Sequence, residues 1–373
     1  MSNKPELGQE YPLPNEAADI QRITEISAQQ IQDQYSQEGS PARRDQHPKN
    51  HGVVWANFTI DPDLPAALRV GLFKQPGKCF PAWIRYSNGQ AMDDRQGGSH
   101  GMAIKLMAVE GTKALEDDSQ THDLVMIDHP VFFIRTIPDY VDLFERSGQM
   151  NRTSASPGSR LQAFFPFFFP SLWPGGWRLQ ELRRFLVLGG LKKIIKPASP
   201  LNCSYFSVTP YQLGAGKAVK FLVKPHANNR PDGVDQSTPD YLRQAMIKTL
   251  SQRAAGFDFF LQVQTNPLTM PVEDSTILWR SPPIKVATVD IPPQTFDSPA
   301  QMSFCENLSF TPWHALLEQR PLGSMNRARR QVYQQTAEVR HQLNQAPLEE
   351  PGPDTFSPTL LSLDSPATAA SNQ

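Results

Sequence analysis

Residues 42–60 read ARRDQHPKNHGVVWANFTI. The second half, GVVWANFTI, alternates in the manner of a half-buried strand. The first half is polar and holds Arg43, Arg44, His47, Lys49 and His51. The strand signal recurs at AWIRYS (82–87), GMAIKLMAV (101–109), DLVMI (123–127), GKAVKFLVKP (216–225) and DFFLQVQT (258–265). Short strands divided by Gly, Pro, Asn and Asp turns predict an antiparallel sheet or barrel. Helical spacing appears elsewhere. Residues 15–36 place Ala18, Ile20, Ile23, Ile26, Ala28 and Ile31 on one side, which predicts a helix packed on the main body. Residues 237–254 read as a helix with a Ser or Thr cap. Residues 300–345 read as helical with breaks. The fold class expected is therefore α+β.

The chain has 373 residues, enough for one large domain or two. Hydrophobic residues make up 39% and charged residues 20%, the balance of a globular protein. A net charge of −1 gives no basic field for nucleic acid. Cys79, Cys203 and Cys305 are scattered and form no zinc or iron–sulfur pattern. The first residues lack an apolar signal core, so the cytoplasm is the default location. The organisation expected is an N-terminal arm and helix over 1–39, a main domain over 40–346, and a disordered Pro/Ser/Thr-rich tail over 347–373.

Residues 161–196 concentrate aromatics and then basic residues: LQAFFPFFFPSLWPGGWRLQELRRFLVLGGLKKIIK. Prolines interrupt the apolar run, so it is too broken to span a bilayer. One reading is a cover over the core or an aromatic hinge. The other is a surface that touches membrane or admits a lipid substrate.

Near the other end stands MNRARRQVYQQTAEVRHQL, residues 325–343. Met325, Val332, Val339 and Leu343 recur at helical spacing. Arg329 and Tyr333 are four residues apart and share one helical face. A guanidinium beside a phenol favours the phenolate, a hard anionic ligand for ferric iron. The bland reading of such a pair is a solvated surface contact.

A second constellation gives the pair its meaning. Arg44, His47, Lys49 and Gly52, followed by a strand, resemble the distal haem segment of the catalase superfamily. Five further matches follow in the same chain order. WIRYSNG carries Arg85, Tyr86 and Ser87. DDRQGGSHGMAIKL carries Gly101-Met102-Ala103-Ile104-Lys105, similar to the family's Gly-Phe-Ala-Val-Lys strand. HDLVMIDHPVFFIR resembles its Asp-Leu-Val to Pro-Ile-Phe-Phe segment. ILWRSPPIKVATVDI resembles the strand before the proximal side. PLGSMNRARRQVY resembles the proximal helix, with Arg329 and Tyr333 at the places of its Arg and ligand Tyr. The resemblance covers about residues 40–335 and is closest to small, divergent catalase-related proteins.

The resemblance implies a catalase-like antiparallel β-barrel with surrounding helices, and haem b between barrel and proximal helix. It gives His47 the proton relay to peroxide and Ser87 the task of orienting that imidazole. Arg44 and Arg85 would hold the haem propionates, Tyr333 would bind iron, and Arg329 would keep the phenolate charged. Motif position favours His47 over His51, and spacing favours Arg44 over Arg43 and Arg329 over Arg330. His122, His129 and His314 have no ligand-like spacing and read as structural or exposed. Lys105 and Asp123 read as strand-end ion pairs.

One departure stands out. Where the family has a distal asparagine, this chain has Ile127, with Asp128 beside it. An amide donates a hydrogen bond to bound peroxide, isoleucine does not, and losing such a donor costs on the order of a hundredfold in rate. The expected activity is peroxide consumption of the catalase or peroxidase type with weak dismutation. The substrate would be hydrogen peroxide or an organic or lipid hydroperoxide. The alternatives are rearrangement of fatty acid hydroperoxides to allene oxides, with Phe164–Trp177 as an apolar approach, and a haem-binding protein without catalysis.

Overall fold

A computed structural model describes residues 5–89, 92–117, 119–152, 165–169, 177–186, 196–230 and 233–352. Four strands follow one another as antiparallel neighbours: β1 (Lys49–Ile60), β2 (Cys79–Asn88), β3 (His100–Leu106) and β4 (His122–Ile127). Next come β5 (Tyr205–Phe206), β6 (Tyr211–Gln212), β7 (Ala218–Pro225), β8 (Ala255–Val263) and β9 (Pro283–Ile291). β1 also pairs with β9, and the short β5 pairs with both β4 and β7. That double pairing closes the sheet into an eight-stranded antiparallel barrel, and β6 adds to the edge of β7. Closure removes the unpaired strand edges that an open sheet would leave.

Alternation sorts the side chains into two faces. Val54, Ala56, Phe58, Ile84, Tyr86, Met102, Ile104, Leu124 and Met126 join Phe221, Phe257 and Phe259 in the barrel interior. Burying a side chain of this size contributes about 2 kcal/mol. The opposite parity, with Val53, Trp55, Arg85, Ser87, Gly101, Ala103 and Ile127, faces outward. Val53, Trp55 and Trp83 are covered there by Cys305 and Leu308.

The helices are α1 (Glu16–Glu38), α2 (Ile137–Arg152), α3 (Leu179–Leu186), α4 (Tyr241–Leu250), α5 (Pro299–Asn307) and α6 (Ser324–Asn344). α1 runs along α6, where Ile20 and Ile23 meet Met325 and Ala328. The N-terminal arm is clasped to the same helix. Arg327 reaches Glu10 at 2.6 Å, Glu16 at 2.5 Å and Glu273 at 2.9 Å.

Two helical expectations are shortened. The helix expected over 237–254 spans Tyr241–Leu250. Ser237 and Thr238 are used instead in a turn whose backbone Asp235 holds, and Pro239 disfavours helix just before it. The helix expected over 300–345 divides into α5 and α6, with Pro312 and Pro321 in the break. Within 161–196, Phe167 and Phe168 are buried in the α1–α6 cluster, whereas Phe165, Trp177, Leu179 and Leu186 are exposed. The rest of that stretch, and the expected tail from 353 onward, lie outside the described residues. Among the described residues no helix is long and apolar enough to cross a membrane.

Candidate active site

The site is built where the chain ahead of β1 crosses the outer face of β2 and β3. His47 takes φ of 58°, in the left-handed region, immediately before Pro48. Such backbone is sparsely populated and persists only when neighbours fix it. Here Arg85 Nη2 donates to the His47 carbonyl at 3.0 Å. The imidazole Nδ1 lies 3.2 Å from the Ser87 hydroxyl. Gly101, paired with Ser87, leaves room for the ring: a Cβ there would fall 2.8 Å from His47 Nδ1. Burial, with help from Arg85, pushes the His47 pKa down to about 3 against the opposing pull of Asp128. The ring is therefore neutral at ordinary pH, with Ser87 engaging Nδ1.

The outer wall beside this ring is apolar. Strand register sets Ser87, Gly101, Ile127 and Phe206 in one row, and Arg85, Ala103 and Val125 in the next. Ile127 thus stands beside the glycine that touches His47. Asp128 is engaged elsewhere. It accepts from Ser99 Oγ at 3.1 Å and from the His100 backbone at 2.9 Å, and its other oxygen lies 2.9 Å from His100 Nδ1. No shift in register brings a polar side chain to the place of Ile127.

At one edge of the wall three guanidinium groups gather. Arg44 donates to the Leu308 carbonyl and sits 3.4 Å from Glu306. Arg85 is buried, which together with Arg44 pushes its pKa down to about 10. Arg340 on α6 is also buried; it donates to the Glu306 carbonyl at 2.5 Å and to Ser309 Oγ at 2.6 Å. Burial and the charge of Arg44 bring its pKa to about 8. Glu306 is the carboxylate these cations share. A buried cation cluster so weakly compensated favours an anionic ligand. Sequence reading missed Arg340. The available signal was its spacing, seven residues after Tyr333 and so on the same helical face.

Arg329 and Tyr333 follow one another on α6 by one turn. Arg329 donates to Thr209 Oγ1 at 3.2 Å and Asn326 Oδ1 at 3.4 Å. Its positive charge contributes to lowering the His47 pKa. Tyr333 is half-buried, and the charge of Arg329 acts on the half-buried phenol Tyr140 and the buried phenol Tyr211. The structure thus brings His47, Ser87 and Arg85 into contact, with Arg44 beside Arg85 and the charge of Arg329 acting on His47; Tyr333 lies one turn along α6 from Arg329.

The other histidines are held elsewhere. His122 accepts from the Leu316 backbone at 3.3 Å. His129 sits against the Val131 carbonyl at 2.8 Å. His314 lies among Asp117, Asp123 and Glu350. Lys105 pairs with Asp123 at 2.8 Å and Glu350 at 2.6 Å. Among the described residues no group of three His, Cys, Asp or Glu side chains is placed to hold a metal ion. The donor set instead joins an imidazole on an apolar wall to guanidinium groups at its edge, which suits an anionic ligand.

Barrel, wall and helix together define a catalase-like fold. Among solved structures, the chain is similar to a fungal catalase at 18% identity and TM-score 0.63, over 93% of this chain and 68% of that one. It matches catalase A from Saccharomyces cerevisiae at 16% identity and TM-score 0.62, over 95% and 72%. A bacterial catalase matches at 18% identity and TM-score 0.58, over 94% and 67%. No protein-family model matches the sequence, and no curated protein does.

Proposed function

We propose that the protein binds haem b between the outer barrel wall and α6 and consumes peroxides by catalase- or peroxidase-type chemistry. The observation behind this reading is His47, held by Ser87 against the methyl-free surface of Gly101 on an apolar wall. Gly101 is the cradle that any added Cβ would fill, and Arg85 Nε is a buried donor without a partner among the described residues at the cationic edge. Both features suit a flat dianion. Arg44, Arg85 and Arg340 would hold its propionates, and Tyr333 would bind its iron with Arg329 in support. The bound haem supplies the redox chemistry, which is the cofactor's own.

The chain's part is proton handling and exclusion. Ser87 occupies His47 Nδ1 and leaves Nε2 free for the substrate. Nε2 takes the proton from one peroxide oxygen and returns it to the other as the O–O bond breaks. Ile127 offers no hydrogen bond to the bound peroxide, which favours slow peroxidase turnover over rapid dismutation.

Full-length protein expressed with a haem precursor should show a Soret band and remove hydrogen peroxide or cumene hydroperoxide. Haem-loaded protein inert toward both overturns the proposal. Tyr333→Phe should lose haem. His47→Ala should keep haem and lose about a hundredfold or more in turnover.

A second reading has its own support. Phe165, Trp177, Leu179 and Leu186 are exposed near the cluster of Phe132, Phe133 and Tyr140. An apolar surface there favours a hydroperoxide with a lipid tail, consumed or rearranged to an allene oxide. Conversion of a fatty acid hydroperoxide with no reducing donor present separates rearrangement from peroxidase action.

A further inference from the structure

At the barrel end where β1 and β3 begin, buried polar atoms collect without partners among the described residues. Both ring nitrogens of His51 lack one, as do His100 Nε2 and the Tyr86 hydroxyl. All three residues are almost wholly buried. An unsatisfied buried group costs about 1–3 kcal/mol, and native proteins meet that need with ordered water where the site is polar.

The His51 ring adjoins a series of charged groups that reaches the surface. His51 Nε2 is 3.8 Å from Asp94 Oδ1. Asp94 pairs with buried Lys49 at 2.9 Å, and Lys49 pairs with half-exposed Asp240, also at 2.9 Å. Asp94 also accepts from the backbone of Leu242, which fixes the start of α4 over this end. Lys49 and Asp240 line a cleft of about 600 Å³ with Asn50, Arg243, Met302 and Glu306. Inward from His51, His100 is anchored to Asp128 at 2.9 Å and lies within electrostatic reach of both His51 and His47. The next residue is Gly101, which touches His47.

We propose that Lys49, Asp94, His51 and His100 form a water-bridged proton route from this cleft to His47. The proposal rests on the peroxide reading given above. His47 moves the peroxide's own proton between its two oxygens and ends the step neutral. Full reduction by a one-electron donor is H2O2 + 2 e− + 2 H+ → 2 H2O, so two further protons must enter from solvent. Ile127 and Phe206 present no proton carrier on the wall itself. The charged and titratable groups facing the route are Lys49 and His51 from β1, Arg85 from β2, His100 from β3, Asp94 before it, Asp128 after β4, and Asp240 and Arg243 at the start of α4. Burial holds His51 well below the usual imidazole range, assisted by His100, Lys49, Arg243 and Arg85. A neutral imidazole has one donor and one acceptor nitrogen, so it passes a proton without storing charge.

The discriminating variant is His51→Leu, because no hydrogen bond from the described residues to either ring nitrogen is lost. In the haem-free full chain, exchange of the His47 ring N–H with solvent, followed by ¹⁵N NMR, should slow at least tenfold in His51→Leu. In the haem-loaded protein, peroxide turnover with ferrocyanide, which brings electrons without protons, should fall at least tenfold. Turnover with hydroquinone, which brings both, should fall less. A high-resolution crystal structure should place ordered water against His51 and His100 Nε2. Unchanged exchange in the variant, or a dry barrel end, overturns the route even if haem and turnover are present. Slowed exchange in a protein that proves inert to peroxide keeps the route and removes the enzymatic reading alone.

Discussion

Gly101 lies flush against His47: a methyl group at residue 101 would come within 2.8 Å of the imidazole Nδ1 and 2.6 Å of the Ser87 hydroxyl. The φ of Gly101 is not positive, so its backbone would accept alanine and the conflict is purely steric. Gly101→Ala must push the ring or the hydroxyl aside. We expect a stability loss of about 1–3 kcal/mol from overpacking, together with at least a tenfold fall in peroxide consumption. Denaturant titration and initial rates on the same sample check this. Wild-type values for both would show that the ring is not seated on that surface.

Ile127 pairs with Gly101 and so flanks His47 on the outer wall. Ile127→Asn places an amide where the wall offers none. Oxygen release from hydrogen peroxide should rise, by up to about a hundredfold if the full benefit of one donor is realised. Stability should fall by about 1–2 kcal/mol, because a half-buried apolar side chain is exchanged for a polar one. An oxygen-electrode assay decides it: no gain in a folded, haem-loaded variant would mean that Ile127 is not what limits dismutation.

The barrel was legible because its strands alternate, and alternation survives divergence as long as one face stays apolar. Val54, Ala56 and Phe58 show it within a single strand. Closure was legible only through the family resemblance, not from alternation. It depends on the two-residue strand Tyr205–Phe206 pairing on both sides, and two residues carry no period. His47, Ser87 and Arg85 were found through short motifs, whereas Arg340 was overlooked among the other basic residues of its helix. The buried histidines went unread for a different reason. His51 and His100 owe their environment to a bulge in β1 and to Asp94 from a distant turn, and local sequence encodes neither.

Arg340 separates ligand binding from folding. It shares a small region with Arg44 and Arg85, and each cation makes its neighbours harder to charge. Arg340→Leu relieves that repulsion at the loss of its contacts to the Glu306 carbonyl, Ser309 Oγ and His341 Nε2. The haem-free variant should therefore stay within about 1–2 kcal/mol of the parent. Its haem should transfer to excess apomyoglobin at least tenfold faster. Parental haem retention would remove Arg340 from the propionate edge.

Acid should destabilise the fold through histidines that it keeps uncharged. His122 is fully buried, accepts from Leu316, and has its pKa pushed down to about 3 by burial, aided by Lys113. His47 is likewise held at about 3. In the unfolded chain histidine titrates near about 6.5. Between about 6.5 and 3 the unfolded chain binds protons that the folded chain refuses, so stability falls as pH falls through that window. Asp45 works the other way: burial raises its carboxyl to about 6, so it favours the fold more as pH drops from about 6 towards 4. His51 and His341 are also held below the usual imidazole range, so the histidines outweigh that aspartate and leave a net loss on acidification. His122→Gln should weaken the fold at pH 7.5 by about 1 kcal/mol through the altered Leu316 contact. It should also flatten the pH dependence by up to one proton, or about 1.4 kcal/mol per pH unit. Urea titrations from pH 7.5 to 4.5 measure both. A variant whose slope matches the parent would mean that residue 122 accepts its proton inside the folded protein, and that the acid sensitivity arises at another buried group.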